Sequence, residues 1–205
     1  HYLLARDLDA HLRASPYVTP SRIIWTGSLE ASERAFSMDD FQCLDPSQSP
    51  CPYESTKYQC ELAALGMDER LEHSGLHAPR AYTAHPGIVA SSIFSNVLFS
   101  FMLVLMKFVF YLVVAHRYLT LGTLDIFPNH PIDAYKGAIA AVFVAVAPAE
   151  YLDRYARYGT QCTWSGHEYV CAGRIDGWHE SPDGAPDARV LDVAHTLLQR
   201  YDAVL

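Results

Sequence analysis

Tyr53 and Lys57 stand at i and i+4 in the stretch Pro52-Tyr53-Glu54-Ser55-Thr56-Lys57. On a helix that spacing sets both side chains on one face, one turn apart. A free phenol ionises at a pH of about 10, too high to exchange protons readily near neutrality. An ammonium one turn away favours the phenolate and lowers that value. The pair therefore has the makings of a tuned general acid or base, an effect worth about 10² to 10⁴ in rate. The same spacing on a solvated helix is also common without any chemistry, so its surroundings decide. Ser28 follows the run Arg22-Ile23-Ile24-Trp25-Thr26, and Pro86-Gly87 follows a second such run, Arg80 to Ala84. A hydroxyl and a tight turn at the ends of two parallel strands would share the edge where α/β sheets bind ligands.

The elements that must carry these groups are legible from periodicity. Arg22–Thr26 is β-branched and aromatic and reads as a buried strand ending at Gly27-Ser28. Residues 30–52, rich in Ser, Pro and Asp, read as a long surface loop. Tyr53 to about Glu72 reads as a helix, with Pro52 just ahead and Tyr58, Leu62, Leu65 and Leu71 at helical spacing. Arg80–Ala84 is the next strand, so the order is strand, helix, strand, which predicts a βαβ unit with a parallel sheet. Leu3, Leu4, Leu8 and Leu12 mark an opening helix, and Tyr135–Ala147 a further apolar one. Cys162–Ile175 reads as a strand or hairpin. Val190, Leu191, Val193, Ala194, Leu197, Leu198 and Tyr201 give the C-terminal helix its apolar face.

Residues 93–115 are the most apolar stretch, with Lys107 as their sole formal charge. A helix of that length is about 35 Å long, enough to cross a bilayer core. The segment reads as membrane-embedded or membrane-lying, or else as a buried hairpin or a lid over an apolar pocket. Ser95, Asn96, Ser100 and the central Lys107 weigh against a free span.

Composition narrows the function classes. Half of the 205 residues are hydrophobic and 19% are charged, which excludes disorder because apolar surface is ample. Fifteen basic against 23 acidic residues give a net charge of −8, the opposite of a general nucleic-acid binder. Five cysteines, an odd number in a chain this long, read as reduced thiols. His73 and His77 lack a third ligand for a metal, and Cys162 and Cys171 lack a Cys-x-x-Cys partner. Gly27-Ser28-Leu29 lacks the Gly-x-Ser-x-Gly pattern of a hydrolase elbow. No metal is expected.

Tyr-x-x-x-Lys after a strand ending in Ser, and before a strand ending in Pro-Gly, resembles the short-chain dehydrogenase/reductase family. The wording is similar to its 3-keto-steroid reductase subfamily of sterol C-4 demethylation, which is related to type 7 17β-hydroxysteroid dehydrogenase. The matching pieces are Arg22 to Ala31, Phe36 to Gln42, Pro52 to Tyr58, His85 to Val89 and Ala134 to Ala138. Trp25, Phe41 and Tyr135 carry the sterol wording, although the catalytic residues themselves are common to reductases of other lipid ketones.

The resemblance implies an α/β fold, the C-terminal half of a Rossmann-type doubly wound parallel sheet with an apolar helical insertion. Residues 1–205 would be a partial reductase domain, with 93–115 a membrane-associated or lid segment inside it. It implies NADPH as cofactor and a 3-keto sterol as substrate, reduced to the 3β-hydroxy sterol. Tyr53 would be the proton donor, Ser28 the hydroxyl that holds the carbonyl oxygen, and Lys57 the ligand of the nicotinamide ribose. Pro86, Gly87, Ile88 and Ser91 would approach the cofactor. Ser28 lies further from Tyr53 than is usual in the family, so Ser37 is the alternative hydroxyl. The family's glycine-rich diphosphate loop and its Asn-Asn-Ala-Gly segment have no counterpart in this sequence. We therefore expect an N-terminally truncated chain, and an inactive remnant or membrane-bound scaffold is the rival reading. The further expectations are an endoplasmic reticulum membrane or lipid droplet location with the catalytic part facing the cytosol, association with other C-4 demethylation enzymes, a homodimer, and no nucleic acid.

Overall fold

A computed structural model describes residues 1–75, 77–89, 134–163 and 167–204, and between them residues 104, 105, 108, 109, 111, 112, 115, 116, 119 and 120. Strand β1 spans Arg22–Thr26, where β-branched and aromatic side chains favour the pleated backbone. Helix α3 spans Pro52–Glu72, with proline in its first turn, where no backbone donor is lost. Strand β2, Arg80–His85, returns parallel to β1 in the register Arg22↔Arg80 through Thr26↔Ala84. Strand β3, Arg157–Cys162, adds parallel to β2, with Thr83 opposite Arg157 and His85 opposite Gly159. Strand β4, Glu168–Gly173, closes the order β1-β2-β3-β4 as an antiparallel hairpin arm. The sheet is thus parallel through β1, β2 and β3, as expected, and the extended run from Cys162 folds back as an antiparallel arm because its connection from β3 is short.

Side chains alternate across this sheet and are covered on both faces, which makes it doubly wound. On one face Trp25 and Ala81 meet Ala63, Ala64 and Met67 of α3. There α3 packs on α6 (Ala188–Val204) through Leu62, Leu65, Val190, Ala194 and Leu197. On the other face Tyr82, Ala84 and Tyr158 meet Ala140 and Val144 of α5, Ile139–Val146. The short helix α4, Ala134–Gly137, precedes α5, so the expected single helix is broken in two. Buried leucines such as Leu62, Leu197 and Leu198 contribute about 1.5–3 kcal/mol each.

Two further expectations change. The opening helix is two short ones, α1 (Tyr2–Asp7) and α2 (Asp9–Arg13), and its buried residues are Tyr2 and Ala5, while Leu3, Leu4 and Leu8 are exposed. Tyr2 turns that face inward because its hydroxyl donates to Asp202 at 2.7 Å while its ring packs on Tyr201. Residues 30–52 are not simply a surface loop. Ala31, Ala35, Asp40 and Ser49 are buried, and Phe36, Met38 and Phe41 pack on the α3–α6 core. The apolar stretch 93–115 falls mostly outside the described residues; of those described, Val104, Leu105, Phe108, Val109, Tyr111 and Leu112 are helical and exposed. Among the described residues no helix is long and apolar enough to cross a membrane.

Candidate active site

Because β1 and β2 run parallel, the turns that follow them emerge at one edge. The Gly27 N–H donates to the Ala84 carbonyl at 2.9 Å and so extends the β1–β2 ladder by one residue before the chain turns away. Ser28 comes next, its Oγ accepting the Glu30 N–H at 3.2 Å, which fixes the hydroxyl at the mouth of the turn. The first turn of α3 stands over this edge. Tyr53 is 59% exposed, and its hydroxyl donates to Ser28 Oγ at 3.3 Å. One turn on, Lys57 donates from Nζ to the Thr26 carbonyl at 3.0 Å, with Nζ 5.9 Å from the centre of the Tyr53 ring. Ser28, Tyr53 and Lys57 therefore share one small, solvent-facing patch. Ser37 lies elsewhere in the loop, where its hydroxyl donates to Gln48 at 3.4 Å.

The second turn is anchored from below. His85 is buried at the end of β2, and its Nδ1 accepts the Gly87 N–H at 3.2 Å. Burial, reinforced by the Arg157 guanidinium, lowers its pKa to about 4, so the imidazole is neutral and Nδ1 stays an acceptor. Gly87 has φ +74°, a left-handed turn conformation that glycine adopts without strain. Pro86 and Val89 close against Gly137 of α4. Ile88 is half-buried beside them, and Ser91 lies outside the described residues.

Sequence reasoning passed over the layer beneath. Glu61 on α3 is fully buried, with Oε2 3.4 Å from Arg157 Nη1 on β3. Burial, opposed by Arg157 and by the Ser28 N–H, pushes its carboxyl up to about 7. The signal was available: Glu61 falls among Tyr58, Leu62 and Leu65, on the face that helical spacing already marked as buried. The other candidates resolve simply. His73 has Glu69 and Glu72, not His77, within ligand distance of it, but Arg154 pairs with both carboxylates. All five cysteines are free thiols, and Cys162 and Cys171 sit at different rungs of the β3–β4 ladder.

A serine in the turn after β1, a Tyr-x-x-x-Lys pair opening the crossover helix and a Pro-Gly turn at the same sheet edge are arranged as the resemblance to short-chain dehydrogenases/reductases led us to expect. The chain is 32% identical to 3-keto-steroid reductase ERG27 of Candida albicans over 184 residues, 90% of this chain and 46% of that protein. It is 30% identical to 3-keto-steroid reductase erg27 of Aspergillus fumigatus, covering 87% of this chain and 44% of the relative. The human 3-keto-steroid reductase/17-beta-hydroxysteroid dehydrogenase 7 is 27% identical over 86% of this chain and 46% of its own length. No family model matches the chain, and no solved structure matches it. Over most of its length the chain is thus similar to 3-keto-steroid reductases. It spans about half the length of the curated relatives it matches.

Proposed function

We propose that this chain carries the proton-donating half of an NADPH-dependent reductase that converts a 3-keto sterol to the 3β-hydroxy sterol in sterol biosynthesis. One observation carries the reading: the Tyr53 hydroxyl meets Ser28 Oγ at 3.3 Å across a long loop, with Lys57 one turn along the helix. The nicotinamide end of a cofactor fits these residues. Among the described residues Lys57 Nζ donates to the Thr26 carbonyl, and an ammonium has three donors, so ribose hydroxyls can take the rest. The Pro86-Gly87 turn lies at the same edge, where the carboxamide would rest. A diphosphate cradle of the glycine-rich kind is not found in this sequence.

When bound, the cofactor supplies hydride to the carbonyl carbon. As the C=O π electrons move onto oxygen, Ser28 holds that oxygen by donating its hydroxyl proton in a hydrogen bond. The Tyr53 Oη–H bond breaks, its proton goes to the nascent alkoxide, and the phenolate left behind is stabilised by the Lys57 ammonium. Tyr53 is exposed enough for a substrate to reach it directly. We place the protein at the endoplasmic reticulum membrane or a lipid droplet, with the site on the cytosolic side. The exposed apolar side chains Val104, Leu105, Phe108, Val109 and Leu112 support that placement.

The test is Tyr53→Phe in the longest reading frame that contains this sequence, assayed with a 3-keto sterol and NADPH by loss of reduced-nicotinamide absorbance. Turnover should fall by at least about 100-fold with NADPH affinity nearly unchanged. Undiminished turnover, or no turnover in the unmutated protein, would overturn the reading.

A further inference from the structure

Beneath the Ser28 turn lies a carboxylate that the proton transfer does not use. Glu61 projects from the middle of α3 toward the sheet and is fully buried. Its Oε2 faces Arg157 at 3.4 Å, whereas Oε1 has no hydrogen-bond partner among the described residues. A Cβ placed on Gly27 would come within 2.8 Å of that same Oε1, so the carboxylate rests directly on the peptide that precedes Ser28. A side chain at position 27 would make the carboxylate shift. The Ser28 N–H is itself among the groups that favour the charged form of Glu61. A buried carboxylate is costly unless paired, and this one is aimed from below at the backbone of the residue whose hydroxyl faces Tyr53.

We propose that Glu61 is a positioning residue: anchored on Arg157, it draws the Ser28 N–H inward and thereby turns Ser28 Oγ outward to Tyr53. Ser28 Oγ accepts the Glu30 N–H within the same short turn that carries the Ser28 amide, so constraining the amide constrains the hydroxyl. The anchor is built from several elements. Arg157 comes from β3, and His85 on β2, a neutral imidazole, lies near enough to feel its charge. Tyr58 and Cys60 on Glu61's own helix, and Asp176 after β4, are further titratable groups whose charges interact with it. Asp176 opposes ionisation of Glu61, while Arg157 and the Ser28 amide favour it. The Ser28 amide should therefore report the charge state of a side chain remote in sequence.

The catalytic consequence rests on the reductase reading, but the geometry is tested without it. In ¹H–¹⁵N NMR of the chain, the Ser28 amide proton should move downfield as Glu61 ionises, with a midpoint at a pH of about 7. Glu61→Gln should leave that resonance flat through the same range. Glu61→Asp, which keeps the charge on a shorter stem, should retain the transition with smaller amplitude and guards against a variant that merely fails to fold. A flat Ser28 trace in the unmutated chain, or an unchanged one in Glu61→Gln, overturns the proposal. In the longest reading frame, Glu61→Gln should lower kcat about tenfold or more with KM for NADPH unchanged, and Glu61→Asp should recover part of it. Equal kcat in Glu61→Gln and the unmutated enzyme also overturns it. A Ser28 titration that depends on Glu61 in a protein without turnover would sink the reductase reading alone.

Discussion

Glu61 and His85 both feel the charge of one guanidinium, Arg157, and are displaced in opposite senses, which gives a prediction about stability against pH. Burial pushes Glu61 from 4.5 up to about 7, while burial and the Arg157 charge push His85 from 6.5 down to about 4. The folded state thus holds a proton on Glu61 that the unfolded chain has released between pH 4.5 and about 7. Glu61's contribution is full below the unfolded value and is lost as pH rises through the folded one. For His85 the unfolded chain takes up the proton first, so stability is full above pH 6.5 and is lost as pH falls toward about 4. Each displacement corresponds to about 3 kcal/mol, and the two slopes run against each other over nearly the same window. The unmutated chain should show a small net contribution from this pair. Urea unfolding at several values between pH 4.5 and 7.5 would separate them (about one unit apart suffices). Relative to the unmutated chain, His85→Gln should lose about 3 kcal/mol as pH rises across that window, and Glu61→Gln should gain about as much. Profiles that run parallel in all three proteins would refute the reasoning.

Other perturbations test separate parts of the molecule. Asp68 is buried on α3 and accepts both Arg80 bonds at 2.7 Å, the Ala81 N–H at 2.9 Å and Arg154 Nε at 3.0 Å. Asp68→Ala would leave two guanidinium groups without their buried partner and should cost about 3 kcal/mol, read as a lower urea midpoint. Asp187 caps α6 by accepting the Arg189 and Val190 N–H groups at 3.1 and 3.3 Å, and its other oxygen accepts the His179 N–H at 2.8 Å. Asp187→Ala should destabilise by about 1 kcal/mol, and Asp187→Asn by less, in thermal unfolding. Lys57→Met should lower both turnover and NADPH affinity in the longest reading frame, in contrast to Tyr53→Phe, because Lys57 is assigned to both tasks.

What the sequence discloses is local. Proline at the head of α3, the i, i+4 spacing of Tyr53 and Lys57, and the β-branched run Arg22–Thr26 each act within one or two turns of chain. Those elements match the reading from periodicity because their conformations follow from sterics and capping over a few residues. The parallel pairing of β1 and β2 was also legible, since a helix of this length between two strands leaves little alternative. The antiparallel β3–β4 arm was half legible: an extended run was visible, but its partner and direction depend on a turn that periodicity does not encode. The opening leucines show the reverse case. Leu3, Leu4 and Leu8 have helical spacing, yet the Tyr2 hydroxyl, bonded to Asp202 at the far end of the chain, decides which face turns inward.

The candidate site divides in the same way. Residue types named its acid, its hydroxyl and its cation, but two serines competed for the second role. Only the folded loop, which brings Ser28 to 3.3 Å from Tyr53 and leaves Ser37 on Gln48, separates them. Glu61 reads in one dimension as a charge on a helix. In three it is a carboxylate enclosed by β1, β2 and β3, because burial is a property of what packs around a residue and not of the residue itself. Short-range stereochemistry wrote the elements and the chemistry into the chain; which groups lose water, and which distant ones touch, was settled by long-range packing.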